Sequence, residues 1–275
     1  WFINFKGWLN IPIGTSQKSF AALSVFMVPA LLWMGFRLSG GWVIFAVINS
    51  IGFITLVGLT YNKAAIAGFV AMIVVAAILV TRSDRSLIIR TALPAGALTI
   101  IISVLIWFNI TRQSPEIDGD WFFPLWLVDF QRQSIWRFSF ELVQQNFWFG
   151  MGINTINFAP GANAIIPGTL NNLNMIPSHP HNWILEVAAE TGIFGLLSLL
   201  GAIAASFIHM IRKFLQNGDD AYLIAICMSA GYWVSGLFNF SFWSAWWQIS
   251  FVLILALCLA QNSNSSNFKK PEFDS

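Results

Sequence analysis

Two histidines one residue apart, His179 and His181, stand with Asn182 just ahead of a long apolar run in SHPHNWILEVAAETGIFG, residues 178–195. The unperturbed pKa of histidine lies nearest neutral pH, so such a pair at the head of a membrane helix is a candidate proton-transfer site. On a helix starting near His181, Asn182, Glu186 and Glu190 recur every fourth residue and form one polar stripe descending into apolar sequence. Carboxylates there are costly unless partnered. They orient the histidine, line a substrate cavity, or hydrogen-bond neighbouring helices as structural glue. The His-x-His spacing could present two ligands to zinc, but no cysteine or third histidine lies near, and only a distant carboxylate could complete the set. A general base or a hydrogen-bond donor to substrate fits better, and neither a metal nor another cofactor is expected. Three cations complete the candidates: Lys63 alone on a short turn, and Arg132 and Arg137 upstream of the histidines. Near a base, they suit an anionic substrate such as a diphosphate, whose oxygens match the planar guanidinium fork. The plainer alternatives are interfacial snorkelling and a surface pair between Arg137 and Glu141.

The elements that must position these residues follow from composition. Of 275 residues, 57% are hydrophobic and 9% charged, and the mean hydropathy is +0.69. A water-soluble globular domain of this size does not show such values, so the chain is an integral membrane protein. A net charge of +2 gives no footprint for nucleic acid. Cys227 and Cys258 both fall in apolar spans and imply packing, not a disulfide framework.

A bilayer core of ~30 Å needs about 20 apolar residues per helix, and about seven stretches qualify: 19–36, 42–60, 64–81, 91–110, 182–211, 221–240 and 243–260. The expected fold class is all-α, a polytopic membrane helix bundle, because lipid offers the backbone no partners and the runs are too uniformly apolar for barrel strands. Arg82, Arg85 and Arg90, then Arg212 and Lys213, then Lys269 and Lys270 assign their segments to the cytoplasm. The Arg37 turn is then inside, the Lys63 turn outside, and residues 1–18 outside. The chain opens at Trp1 without a short basic leader, so no signal peptide is read, and an odd span count with an outside start fits missing N-terminal helices.

The long connection over 111–181 is extracytoplasmic by the same count. It carries an acidic patch (Glu116, Asp118, Asp120), an aromatic run (Trp121, Phe122, Phe123, Trp126) and FQRQSIWRFSFELVQQNFWFG. That segment reads as an amphipathic helix lying on the membrane, with Trp136, Phe140, Val143 and Phe147 on one face and Gln133, Arg137, Glu141 and Gln144 on the other. A Gly/Asn/Pro-rich loop over 150–180 follows, in which Gly150 and Gly152 read as a turn. Gly192, Gly195, Gly231 and Gly236 read as close-packing residues, and Trp243, Trp246 and Trp247 as an aromatic belt. Four regions result: N-terminal transmembrane helices over 1–110, the extracytoplasmic loop with its amphipathic helix over 111–181, C-terminal transmembrane helices over 182–261, and a disordered cytoplasmic tail over 262–275.

The histidine stretch resembles that of the O-antigen ligase and polymerase superfamily, whose ligases carry His, then Asn, Ser or Gln, nine residues, Gly, two residues and Gly. Here these are His181, Asn182, Gly192 and Gly195. The resemblance extends to Arg132, Ile135 and Trp136, similar to an Arg-x-x-(Ile/Leu)-Trp segment, and to FGMG, similar to a Phe-Gly-x-Gly turn. Further upstream, residues 60–65 (TYNKAA) resemble a Thr-x-Ser-Arg-Gly-Ala segment, with Lys63 keeping the charge of the arginine without its fork.

The resemblance implies an enzyme of the bacterial inner membrane with its site on the periplasmic side, moving a glycan from an undecaprenyl-diphosphate-linked donor to an acceptor hydroxyl, lipid A-core in the first instance. It implies His181 as general base, Arg132 and Lys63 on the diphosphate, Asn182, His179 and Glu186 holding the histidine or acceptor, inversion at the anomeric centre and no metal; Arg137 is kept as a candidate substrate contact beside its surface pairing with Glu141. Polymerisation onto another lipid-linked repeat, or transfer to a protein serine or threonine, keeps the donor and changes the nucleophile. From a different class, a non-enzymatic transporter should show paired interrupted helices in two matching halves, which the sequence lacks. The orientation is checked with alkaline phosphatase fusions, expected to be active when joined within residues 146–180 and inactive when joined after Lys213.

Overall fold

The computed structural model describes residues 17–60, 62–82, 87–111, 119–169 and 172–265. The Arg85 and Glu116/Asp118 charges, residues 1–16 and the tail from 266 lie outside the described residues. Among the described residues the fold is helical: α1 (Lys18–Leu38), α2 (Gly41–Leu59), α3 (Lys63–Thr81), α4 (Leu87–Thr111), α5 (Phe130–Gln145), α6 (Trp183–Asn217), α7 (Asp220–Ser235) and α8 (Ala245–Ser265). Each of the seven expected spans overlaps one of these helices, but the one expected over 221–240 stops as α7 at Ser235, short of Asn239; α5 lies in the stretch expected to be amphipathic. By length and composition, four helices can cross a membrane among the described residues: α1, α2, α3 and α6. Where their side chains are described, α4 and α8 are apolar over Pro94–Trp107 and Ala245–Ala260, and α7 has 16 residues.

The chain divides into two compact units. The first comprises Trp1–Leu87, Phe207–Ser235 and Trp246–Ser275. Within it α3 packs along α7, and α1 contacts α2, α3 and α7. Small residues let these backbones approach, as membrane packing favours. A methyl group on Gly68 would lie 2.9 Å from the Gly231 carbonyl oxygen and 2.8 Å from Val25 Cγ1, and one on Gly35 would lie 2.4 Å from Ala46 Cβ. A ring cluster closes the unit, with Tyr232 stacked on Phe251 at 4.0 Å and on Trp247 at 5.2 Å, and Phe26 5.2 Å from Trp247. Trp247 is therefore buried in this core rather than part of a belt, because the rings of Phe26 and Tyr232 cover it.

The second unit comprises Ile88–Ser206 and Gly236–Ala245. Its core gathers Phe130, Ile135 and Leu142 of α5 with Ile156, Ala159, Ala162, Ile166 and Ile176 of the following loop and Ala189 of α6. The Gly/Asn/Pro-rich loop is thus a folded layer. A bridge joins Ile165 to Asn174, and the Ile166 and Met175 amides donate to Leu173 and Ala164 at 2.8 Å. The face assignment of α5 needs correction: Gln133 is buried, while Phe140 is exposed. The Gln133 amide closes the preceding loop, accepting from the Phe123 amide (3.0 Å) and donating to the Phe123 and Val128 carbonyls (2.8 and 2.9 Å). A buried polar side chain whose partners are all backbone does not show in a periodic pattern.

Gly68→Ala is expected to lower stability by about 1–3 kcal/mol, because the Gly231 backbone cannot yield to the added methyl. Gly52→Ala in α2, where the methyl meets nothing within 4 Å, should leave the thermal midpoint in detergent unchanged or raise it.

Candidate active site

The site begins where α6 begins. Asn182 caps the helix, its side-chain oxygen accepting from the Ile184 and Leu185 amides at 3.1 and 3.3 Å, which satisfies donors that an uncapped helix leaves orphaned. The preceding residue, His181, has φ 55, a left-handed conformation costing a side-chain-bearing residue about 1–2 kcal/mol. Strain of this kind persists where the surroundings over-determine it, and it clusters at functional sites.

Those surroundings are a segment absent from the expected site. His181 Nδ1 lies 2.9 Å and His179 Nε2 3.2 Å from the same atom, the backbone carbonyl oxygen of Asn239. The ring centroids are 4.2 Å apart. A carbonyl only accepts, so both of these nitrogens carry protons. In neutral His181 the lone pair is then on Nε2, and in neutral His179 it is on Nδ1, where the Ser178 hydroxyl donates at 2.8 Å. Fixing one ring nitrogen as donor is what makes the other a defined base. Asn239 is fully buried, and its own side-chain amide has no hydrogen-bond partner among the described residues.

The polar stripe holds this arrangement. Glu186 and Glu190 are both 1% exposed. Glu186 accepts from the Ser241 hydroxyl (2.5 Å) and the Phe242 amide (2.7 Å), pinning the segment that carries Asn239. Glu190 accepts from the Asn154 amide (2.7 Å), the Ile156 amide (3.0 Å) and the Trp243 indole N–H. Trp243 is therefore a clamp residue. Of the alternatives for these carboxylates, the contacts are those of glue to loops, with Glu186 reaching the histidines through the Asn239 segment.

The two glycine motifs meet each other. α6 breaks at Gly192 (φ 69, ψ −172), freeing carbonyls that a continuous helix would use. The Met151 and Gly152 amides donate to the Ala189 and Glu190 carbonyls at 3.0 Å, and the Ile193 amide to the Phe147 carbonyl at 2.8 Å. A methyl on Gly192 would come within 2.2 Å of the Trp148 carbonyl oxygen, and one on Gly150 within 2.2 Å of the Glu190 carbonyl carbon. Both residues also have positive φ, so glycine is required twice over.

The cations are placed as follows. Arg132 lies in the first turn of α5, where its amide donates to the Asp129 cap at 3.0 Å. One turn on, the Trp136 indole donates to the Pro180 carbonyl at 3.1 Å, tying α5 to the residue before His181. Arg137 is exposed, donates to the Asp120 carbonyl and lies 6.0 and 5.6 Å over the Trp121 and Phe122 rings. Lys63 opens α3 in the other unit, after the Asn62 cap that accepts from the Ala65 amide at 3.1 Å. The second unit therefore unites His179, His181, Asn182, Glu186 and the α5 residues. The participants missed in the sequence are Asn239, Ser241, Phe242 and Trp243. Their one signal is the polar interruption in GLFNFSFWS, residues 236–244, between two apolar helices.

Residues 48–200 match the profile of a family described as O-antigen ligase. The chain is also similar to proteins named as polysaccharide ligases from Rickettsia prowazekii (28% identical over 132 residues, 46% of this chain and 31% of that protein), Rickettsia typhi (26% over 132 residues, 46% and 31%) and Rickettsia conorii (26% over 127 residues, 46% and 30%). The matched part of the chain thus spans about a third of each of these relatives.

Glu190→Ala leaves two backbone amides and an indole N–H without their acceptor. Its cost is expected to be at least about 3 kcal/mol, since each of the three buried unsatisfied donors costs about 1–3 kcal/mol. Thermal unfolding in detergent and faster protease cleavage within residues 150–165 report the loss, and Glu190→Gln, which keeps one acceptor oxygen, should recover part of it.

Proposed function

Because this chain belongs to the O-antigen ligase family, we propose that it transfers an oligosaccharide from undecaprenyl diphosphate to a hydroxyl of lipid A-core at the periplasmic face of the bacterial inner membrane. The observation that carries the assignment of roles is the shared carbonyl of Asn239. By accepting from Nδ1 it leaves Nε2 of His181 as the proton acceptor. His181 takes the proton of the acceptor hydroxyl as its oxygen bonds to the anomeric carbon. The bond from that carbon to the phosphate oxygen breaks on the opposite face, inverting the centre, and undecaprenyl diphosphate leaves. Arg132 and Lys63 stabilise the charge that grows on the leaving diphosphate. Metal chemistry is not needed in this scheme, because the cations and the diphosphate supply what the bond cleavage demands.

Three residues support the base. His179 shares its anchor, Asn182 starts the helix behind it, and Glu186 holds the Asn239 segment by Ser241 and Phe242. Arg137 is a supplementary substrate contact beside the aromatic run. Donor and acceptor are both lipid-anchored in this reading, so both reach the protein through the membrane lipid.

The test is a gene deletion restored with wild type or His181→Ala, with the lipopolysaccharide and the lipid-linked pool examined together. The variant is expected to lose the surface ladder and to strand long glycan on the carrier, a rate loss on the order of 10²–10⁴ for removal of a general base. Surface material limited to a single repeat would instead mark a polymerase, and intact lipopolysaccharide with a lighter secreted protein would mark protein glycosylation. Full activity of a stably produced His181→Ala chain would rule out the base.

A further inference from the structure

α6 has 35 residues and is broken at Gly192; residues 193–217 alone give about 37 Å of helix against a hydrocarbon core of ~30 Å. Part of it must therefore stand outside the lipid, and its burial changes character at the Gly192 break. Every residue from Glu186 to Glu190 is buried in protein. Beyond the break Phe194, Leu197 and Leu200 are exposed, and the apolar window of this helix is only 6% buried.

At the same level the connection after α5 turns outward three aromatic residues in succession. Phe147, Trp148 and Phe149 are all exposed, Phe149 to 79%. Their rings continue onto the helix: Phe147 lies 5.0 Å from Trp148, Trp148 5.8 Å from Phe194, and Phe149 5.6 Å from Phe194. The bond from the Ile193 amide to the Phe147 carbonyl and the contact of Gly192 with Trp148 hold this turn at one height along α6. A contiguous apolar patch demands a partner. Here it is continuous with a helix apolar enough to cross a membrane, and tryptophan and phenylalanine at the head of such a helix suit the boundary between headgroups and acyl chains.

We propose that the Gly192 break marks the outer edge of the hydrocarbon, and that Phe147, Trp148 and Phe149 are seated with Phe194 in the lipid interface. Trp183–Thr191 then rises about 14 Å beyond that edge, and Glu186 and Glu190 lie outside the hydrocarbon instead of descending into it. The interfacial layer of one leaflet is about 5–8 Å deep, so His181 stands beyond the headgroups. If the ligase reading holds, on which this consequence alone rests, the base meets the sugar end of a lipid-anchored diphosphate rather than its membrane end.

The experiment reads membrane depth and not activity, so it stands apart from the test of the ligase reading. In a chain carrying Cys227→Ser and Cys258→Ala, single cysteines at Phe149, Leu197 and Phe158 are labelled with a nitroxide. The labelled full chain, monodisperse in detergent, is placed in liposomes of phosphatidylethanolamine and phosphatidylglycerol. Collision rates are measured with oxygen, which concentrates in lipid, and with a water-soluble nickel chelate. The ratio of oxygen to nickel collisions at positions 149 and 197 is expected to exceed that at position 158 several-fold. A ratio at 149 no higher than that of the free nitroxide in buffer would place the turn in water and overturn the proposal. Protection of position 149 from both reagents would also overturn it, since the turn would then be covered by protein, whether further helices or a second copy.

Discussion

A carboxylate taken out of water must be met by donors, and α6 carries two such groups one turn apart. Glu186 and Glu190 could have found each other's company intolerable. Instead each collects N–H and O–H groups from chain remote in sequence, Glu186 from residues 241 and 242 and Glu190 from residues 154, 156 and 243. These bonds define where the loop after α5 and the segment between α7 and α8 lie. Removing one partner from such a buried set leaves several donors stranded at once.

The histidine arrangement is downstream of that constraint. Asn239 offers its carbonyl to His179 and His181 because Ser241 and Phe242, two and three residues later, are tied to Glu186. The stripe of carboxylates and the pair of histidines thus form one construction, in which the carboxylates place the carbonyl and the carbonyl sets the tautomer. The left-handed backbone of His181 is tolerated in a site constrained from both sides, by the Asn182 cap and by the Asn239 carbonyl. The glycine contacts perform the same service for the other loop. Gly150 and Gly192 let two backbones touch, and this contact breaks α6 and ties the FGMG turn to it.

The helices were legible because lipid narrows the choices. An apolar run of about 20 residues has one way to satisfy its backbone, so composition locates each span. The family motifs were legible as spacing: histidine, cap and two glycines on one stretch, and arginine with tryptophan on another. The faces of α5 were misread because a buried Gln133 satisfied by backbone looks the same in sequence as one facing water. Trp247 was misread for a related reason. An aromatic residue at the head of an apolar helix can sit at an interface, fill a core as Trp247 does, or donate to a carboxylate as Trp243 does, and only the neighbours distinguish these fates.

Sequence by itself determined the helical membrane class of the molecule, roughly where its helices lie and the likeness to the O-antigen ligases, because each of these follows from local composition or spacing. The tertiary structure alone decided that Nδ1 of His181 faces the Asn239 carbonyl, what the two glutamates hold, and that α6 breaks at Gly192 against the Trp148 backbone. These depend on partners up to 58 residues away. A hydrogen bond or a backbone contact across such a separation leaves no period in the chain, only a polar interruption such as GLFNFSFWS whose meaning appears once its partner is in place.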